Sequence, residues 1–144
     1  MTLREKLLAG LTTNSAEETR AIAAELAAQL PPDTTLALHG DMGVGKTTFV
    51  QGLARGLGVT EQVTSPTFAI YTVHRGAGRT VVHLDAYRLE GARQIEELLL
   101  EEFLTSPWVL AVEWPEKIAP WLPAATVHLT LSIVEGDRHH LRLH

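Results

Sequence analysis

The stretch Thr35-Leu36-Ala37-Leu38-His39-Gly40-Asp41-Met42-Gly43-Val44-Gly45-Lys46-Thr47 decides how the rest of this chain is read. It opens with an apolar run at 35–39 that reads as a buried strand. A loop with glycine at 40, 43 and 45 follows at once, and positions 48–57 read as a helix stopped by Gly58. Strand, glycine loop and helix in this order suit a cluster of phosphates. Dense negative charge needs several N–H donors aimed inward, and Gly40, Gly43 and Gly45 let the backbone build such a nest. The helix adds the positive end of its dipole. Lys46 brings a cation to the outer phosphates, and the Thr47 hydroxyl suits a magnesium ion. The expected binding set is Gly40, Asp41, Met42, Gly43, Val44, Gly45, Lys46, Thr47 and Thr48, for a nucleoside triphosphate with Mg2+.

Average residue usage would produce this spacing by chance in a chain of this length on the order of once in 200. The flanking strand and helix lower that further, so a plain glycine turn is a poor account of it. A dinucleotide-binding loop fits worse, because after Gly43-Val44-Gly45 its third glycine would fall at Thr48.

A phosphate loop needs an acidic partner for the metal, usually at the end of a neighbouring buried strand. Val81-Val82-His83-Leu84-Asp85 and Val109-Leu110-Ala111-Val112-Glu113 each end in one. Ligands of such sheets gather at the carboxyl ends of strands, so Asp85 and Glu113 join Thr47 as candidate magnesium ligands. Either carboxylate taken alone would read as solvated. The residue after Asp85 is Ala86, where many ATPases carry a glutamate that orients water. That task then falls to Glu113, Thr67 or a partner protein, and hydrolysis by the isolated chain is expected to be slow. The catalytic candidates are Lys46, Thr67, Asp85 and Glu113. The segment Thr64-Ser65-Pro66-Thr67-Phe68 reads equally as a switch with hydroxyls near the terminal phosphate or as a plain turn pivoting on Pro66.

Outward from the loop, 15–30 reads as a helix. Ser15 and Glu18 have the form of a capping box, and Pro31-Pro32 stop the run. The β-rich runs 68–74 and 80–85, with Arg75-Gly76-Ala77-Gly78 between them, read as a hairpin. Positions 92–104 read as a helix with Ile95, Leu98, Leu99 and Phe103 on one side. Positions 108–113 form a buried strand, after which Pro115, Pro120 and Pro123 break the chain into turns and a short helix. Alternation at 127–133 and again at 141–143, around Gly136-Asp137, suggests a closing hairpin. The expected class is α/β: a three-layer fold like that of P-loop nucleotide hydrolases, with a mixed, largely parallel sheet and helices on both faces.

The 144 residues suit one domain, 1–144. No run reaches the roughly 18 apolar residues that span a bilayer, and no secretory leader pattern opens the chain, so the cytoplasm is the expected compartment. Absence of cysteine removes disulfides, thiolate nucleophiles and cysteine metal sites. A net charge of −5 with scattered basic residues argues against direct, stable binding of nucleic acid. The seven histidines show no metal-ligand spacing, and His139, His140 and His144 read as surface residues of a terminal strand.

Taken together, Gly40-Asp41-Met42-Gly43-Val44-Gly45-Lys46-Thr47-Thr48-Phe49, Ser65-Pro66-Thr67-Phe68, His83-Leu84-Asp85-Ala86-Tyr87-Arg88-Leu89 and Val112-Glu113-Trp114-Pro115-Glu116 resemble the TsaE (YjeE) family. The loop is common to many ATPases, whereas the later elements in this order are far more specific. The likeness runs from the first helix to at least Glu116. Met42 replaces a commoner leucine and Ala86 stands where leucine is usual, and neither change touches a charged group. The C-terminal hairpin matches loosely and assigns nothing to Arg138.

The resemblance implies a small bacterial ATPase needed to make threonylcarbamoyladenosine on tRNA, acting on TsaD and TsaB, which carry out the transfer. Hydrolysis of ATP to ADP would reset that complex, tRNA would be met only through it, and the isolated chain would be a monomer away from membranes. By the same resemblance Lys46 and the loop amides hold phosphates, and Thr47 with Glu113 holds Mg2+. Asp85 acts in hydrolysis or as an outer magnesium partner, and Ser65 and Thr67 form the switch. The stretch around Asn14 and Ser15 lies near the adenine. Trp114 reads equally as a reporter beside the site or as a core aromatic.

Two rivals remain. A small-molecule kinase shares the loop but needs a second pocket and arginines that close over the transferred phosphate. Here only Arg88 and Arg93 are near. A pure binding module would hold nucleotide without turning it over. A GTPase lacks support, since no Asn-Lys-x-Asp motif occurs.

Overall fold

A computed structural model describes residues 1–41, 43–64, 66 and 70–144. Met42, Ser65, Thr67 and Phe68, which the sequence reading placed in the loop and the switch, lie outside the described residues. The chain runs α1 (Leu3–Ala9), β1 (Leu11–Thr13), α2 (Ala16–Ala27), β2 (Thr34–His39), α3 (Lys46–Gly56), β3 (Tyr71–Arg75), β4 (Thr80–Asp85), α4 (Ala92–Glu97), β5 (Trp108–Glu113), β6 (Val127–Glu135) and β7 (Arg138–Leu143). Two 3-10 helices, Leu100–Phe103 and Pro115–Trp121, join them.

The seven strands form one sheet in the order β1-β7-β6-β2-β5-β4-β3. Its centre is parallel: β2 pairs with β5 and β6, and β4 pairs with β5. Both margins are antiparallel, through the β3–β4 and β6–β7 hairpins and the β1–β7 pair. Helices cover both faces, as buried parallel strands require. Leu36, Leu38, Val81, Val109 and Ala111 pack with α1, α2 and α3. Val82, Leu84, Leu110 and Val112 point the other way, onto Ile95, Leu100 and Ile118. The expected three-layer α/β class with a mixed sheet is what forms.

Local details depart from the sequence reading in three places. The helix expected at 92–104 breaks at Leu99, whose backbone is left-handed at φ 51. Ile95 and Leu100 are both fully buried in one cluster, yet an unbroken helix would set residues five apart about 140° apart around its axis. Breaking the helix lets both reach the sheet and leaves Leu99 exposed. The elements α1 and β1 were not legible. α1 buries only Leu3 and Leu7, is capped by Thr2, and leads into an edge strand of 3 residues. The Ser15–Glu18 box forms in altered shape: Ser15 Oγ accepts from Glu18 N, while Glu18 Oε2 accepts from Asn14 N instead of closing on Ser15.

α2 crosses α3 closely enough that a Cβ on Gly52 would collide with the Arg20 carbonyl oxygen, and one on Gly56 would stand 2.5 Å from that of Ala24. Alanine at Gly52 gains about 1 kcal/mol of helix propensity. It must also push rigid backbone apart, an overpacking cost of about 1–3 kcal/mol. The clash should win, so Gly52→Ala is expected to lower the urea midpoint with an unchanged slope. A variant as stable as the wild type would refute the close crossing.

Candidate functional site

The sheet brings β2, β4 and β5 to one end with their carboxyl termini side by side, and the glycine loop bridges β2 to α3. Gly43 has φ 78 and Gly45 has φ 95, left-handed conformations of the kind from which anion-binding nests are built. Gly40 is held by space as well as φ, because a Cβ there would strike the Leu131 carbonyl oxygen and stand 2.8 Å from Val44 Cγ2. Gly45 caps α3 with no side-chain hydrogen bond, so the first-turn amides remain available to an anion.

Gly43, Gly45, Lys46, Thr47, Thr48, Asp85, Glu113 and Trp114 line one cavity of about 380 Å3. β4 and β5 are parallel and place Asp85 opposite Glu113, while Leu38 of β2 is also in register with Glu113. The two acidic strand ends therefore meet beside the lysine, and Thr47 joins them on the first turn of α3. Glu113 is only 5% exposed, a position that a carboxylate seldom takes unless it is paired, and its partner is His83. Asp85 is half-buried, and its Oδ1 accepts from Tyr87 N at 3.0 Å.

Lys46 is also buried. Its Nζ donates to Gly40 O at 2.6 Å and sits 4.0 Å from the centroid of the Trp114 ring. Burial pulls its pKa below the ordinary lysine value, opposed by the charges of Glu113, Glu116, Asp85 and Asp41. The ammonium is folded back on its own loop. Trp114 takes φ 56, a left-handed conformation that a bulky residue adopts only when its surroundings require it. Its ring lies tilted by 54° against that of Tyr87, with the centroids 5.1 Å apart. Trp114 lines the cavity and also packs against the core cluster of Leu84, Ile95 and Ile118, so its position agrees with both sequence readings.

Four oxygen-bearing side chains, Thr47, Thr48, Asp85 and Glu113, border the cavity. Hard oxygen donors suit Mg2+, which keeps water and phosphate in its shell instead of being caged by protein. Among the described residues no group of three or more His, Cys, Asp or Glu could hold an ion alone.

Asn14 and Ser15 do not line the cavity. Arg88 and Arg93 are exposed and do not line it either. Ala86 is fully buried in the core beneath the sheet, and its N–H bonds Glu113 O at 3.0 Å. The position after Asp85 thus turns away from the cavity. His139 and His140 are half-buried, contrary to the surface reading, and only His144 is exposed. A Cβ on Gly45 would stand 3.5 Å from His139 Cδ2, so His139 borders the loop. Its place in a terminal strand gave no hint of this.

The sequence reading also passed over His83. It is fully buried, and Nε2 lies 2.5 Å from Glu113 Oε2. A polar ring two positions before Asp85 in an apolar strand was the available signal, since both must share one face.

At the end of β2, His39 Nε2 and His128 Nδ1 lie 2.8 Å apart, sharing one N–H. Burial first, and then the neighbouring His128, hold the His39 pKa below the ordinary histidine value. The folded chain therefore binds fewer protons than the unfolded chain as pH falls through about 6.5. Stability from this pair is present above that value and is lost as the solution is acidified. Thermal midpoints between pH 7.5 and about pH 5 should fall more steeply for the wild type than for His39→Gln. Parallel profiles would contradict the assignment.

The model of the family described as threonylcarbamoyl adenosine biosynthesis protein TsaE matches residues 13–141. The tRNA threonylcarbamoyladenosine biosynthesis protein TsaE of Bacillus subtilis is 38% identical over 129 residues, covering 90% of this chain and 80% of that protein. Its namesake from Treponema pallidum is 35% identical over 127 residues, covering 88% of this chain and 93% of its own. Among solved structures, Bacillus subtilis YdiB matches with a TM-score of 0.76 at 33% identity, over 93% of this chain and 82% of that one.

Proposed function

The chain belongs to the TsaE family of tRNA threonylcarbamoyladenosine biosynthesis proteins, and from that premise we propose that it binds ATP with Mg2+ and hydrolyses it slowly to support the TsaD and TsaB proteins. The observation that carries this reading is the single cavity shared by the open N-terminus of α3, Lys46, Thr47, Asp85 and Glu113. The amides of the loop and of the first turn of α3 hold the phosphates. Lys46 leaves the Gly40 carbonyl and moves onto the outer phosphates, whose charge restores what burial took from the ammonium. Thr47 and Glu113 hold the cation, with Asp85 beside them. Magnesium, when bound, neutralises charge developing on the phosphoryl oxygens.

Water must be oriented by Glu113, Thr67 or a partner, because the Ala86 position is turned into the core. This favours a partner-dependent ATPase. The tRNA is reached through the partner proteins, as suits an acidic chain with a net charge of −5. No helix among the described residues is long and apolar enough to cross a membrane, in keeping with a cytoplasmic place of action. The exposed Arg88 and Arg93 weaken the kinase alternative, which needs arginines at the phosphates.

Phosphate release distinguishes these readings. The chain alone should turn over well below the roughly ten per second typical of enzymes, and TsaD plus TsaB should accelerate it. A rate of tens per second for the chain alone would defeat the partner-dependent reading. Phosphate appearing on a small molecule would establish a kinase instead.

A further inference from the structure

His83 sits within β4 with none of its surface exposed. A ring with two nitrogens is costly in such a place unless it is satisfied. Its one hydrogen-bond partner among the described residues is Glu113, 30 positions away in the chain. A carboxylate only accepts, so the Nε2 proton belongs to the ring, and Nδ1 has no partner among the described residues. The pairing serves Glu113 more fully than it serves His83. Alternation along β4 carries His83 and Asp85 to the same face, and the β4–β5 register sets His83 opposite Ala111 and Asp85 opposite Glu113. The small Ala111 side chain leaves the ring room to reach diagonally to Glu113.

The contact occupies Oε2 of Glu113 and leaves its other oxygen for the cavity. Glu113 lines that cavity and His83 does not. An imidazole behind a carboxylate, touching no ligand itself, is the arrangement by which an outer partner orients a metal-binding group. We infer that His83 is a positioning residue that locks the Glu113 side chain in the one orientation presenting its free oxygen to a cation on the phosphates. The inference rests on the magnesium reading of the cavity. It assigns His83 no contact with nucleotide and no part in proton transfer.

The test compares two amides. A glutamine at position 83 reaches about as far as Nε2 and keeps an N–H for Glu113. An asparagine stops one methylene short. ADP binding to the full chain is measured by calorimetry with Mg2+ and with EDTA, and the ratio of the two dissociation constants is the magnesium enhancement. In His83→Asn the enhancement should fall about 10-fold or more, in the range of lost outer-shell partners, with binding in EDTA unchanged. His83→Gln should keep most of the enhancement. If His83→Asn does not fold, His83→Leu, closer to the ring in bulk, must show the same loss.

The inference is overturned if the shortened or apolar variant keeps the enhancement. It is also overturned if binding in EDTA drops equally, or if His83→Gln does no better than His83→Asn. A wild type without any enhancement would overturn the magnesium reading and this inference with it. Enhancement that persists in both the wild type and His83→Asn would overturn the inference alone.

Discussion

Lys46→Ala is expected to weaken ADP and ATP-analogue binding by about 100-fold or more. Hydrogen bonds to charged groups contribute about 1.5–3 kcal/mol each, and each 1.4 kcal/mol is about tenfold in affinity. On the proposed reading Nζ would donate to more than one phosphate oxygen, from a buried position where water screens little. The variant should fold normally. Lys46 is a desolvated ammonium bonded to Gly40 O and set against Trp114, so its removal relieves as much as it loses. Calorimetric titration, with the thermal midpoint as the folding control, checks both statements. Affinity within about threefold of the wild type in a folded variant would mean that the cavity is not a phosphate site.

The second large effect concerns Glu113, and here the choice of substitution matters. Glu113→Ala removes a candidate magnesium ligand but also strands the His83 N–H in the core, which costs about 1–3 kcal/mol. Glu113→Gln keeps a carbonyl acceptor for His83 and removes only the charge. Both should lose the magnesium-dependent part of nucleotide binding, by about 10- to 100-fold, the scale expected when a metal site is impaired. Binding in EDTA should stay equal or improve, since a negative charge beside the phosphates is gone. Only Glu113→Ala should also show a lowered thermal midpoint. A Glu113→Gln chain with undiminished magnesium enhancement would remove Glu113 from the metal.

The fit between sequence reading and structure follows the range of the interactions involved. Gly40, Gly43 and Gly45 were readable because left-handed backbone is a local demand that glycine meets best, and Lys46 and Thr47 follow from their place at the start of α3. β4 and β5 were readable because strands buried on both faces are almost continuously apolar. The helix at 92–104 was not, because its break answers to the burial of Ile95 and Leu100 on a sheet that the segment does not contain. α1 and β1 were too short to carry a periodic pattern.

The sequence by itself determined the glycine loop between β2 and α3, the acidic strand ends and, through its motifs, the family. These are local chemistries, decided by residue type at fixed spacing. Only the tertiary structure decided that Lys46 lies folded against Gly40 and Trp114, that Ala86 turns into the core, and that His83 grips Glu113. For Ala86 and His83 the reason is the parallel pairing of β4 with β5, and for Lys46 against Trp114 that of β2 with β5. Parallel neighbours are joined by long crossovers, so their register is set by packing across the whole sheet and is written in no single stretch of chain.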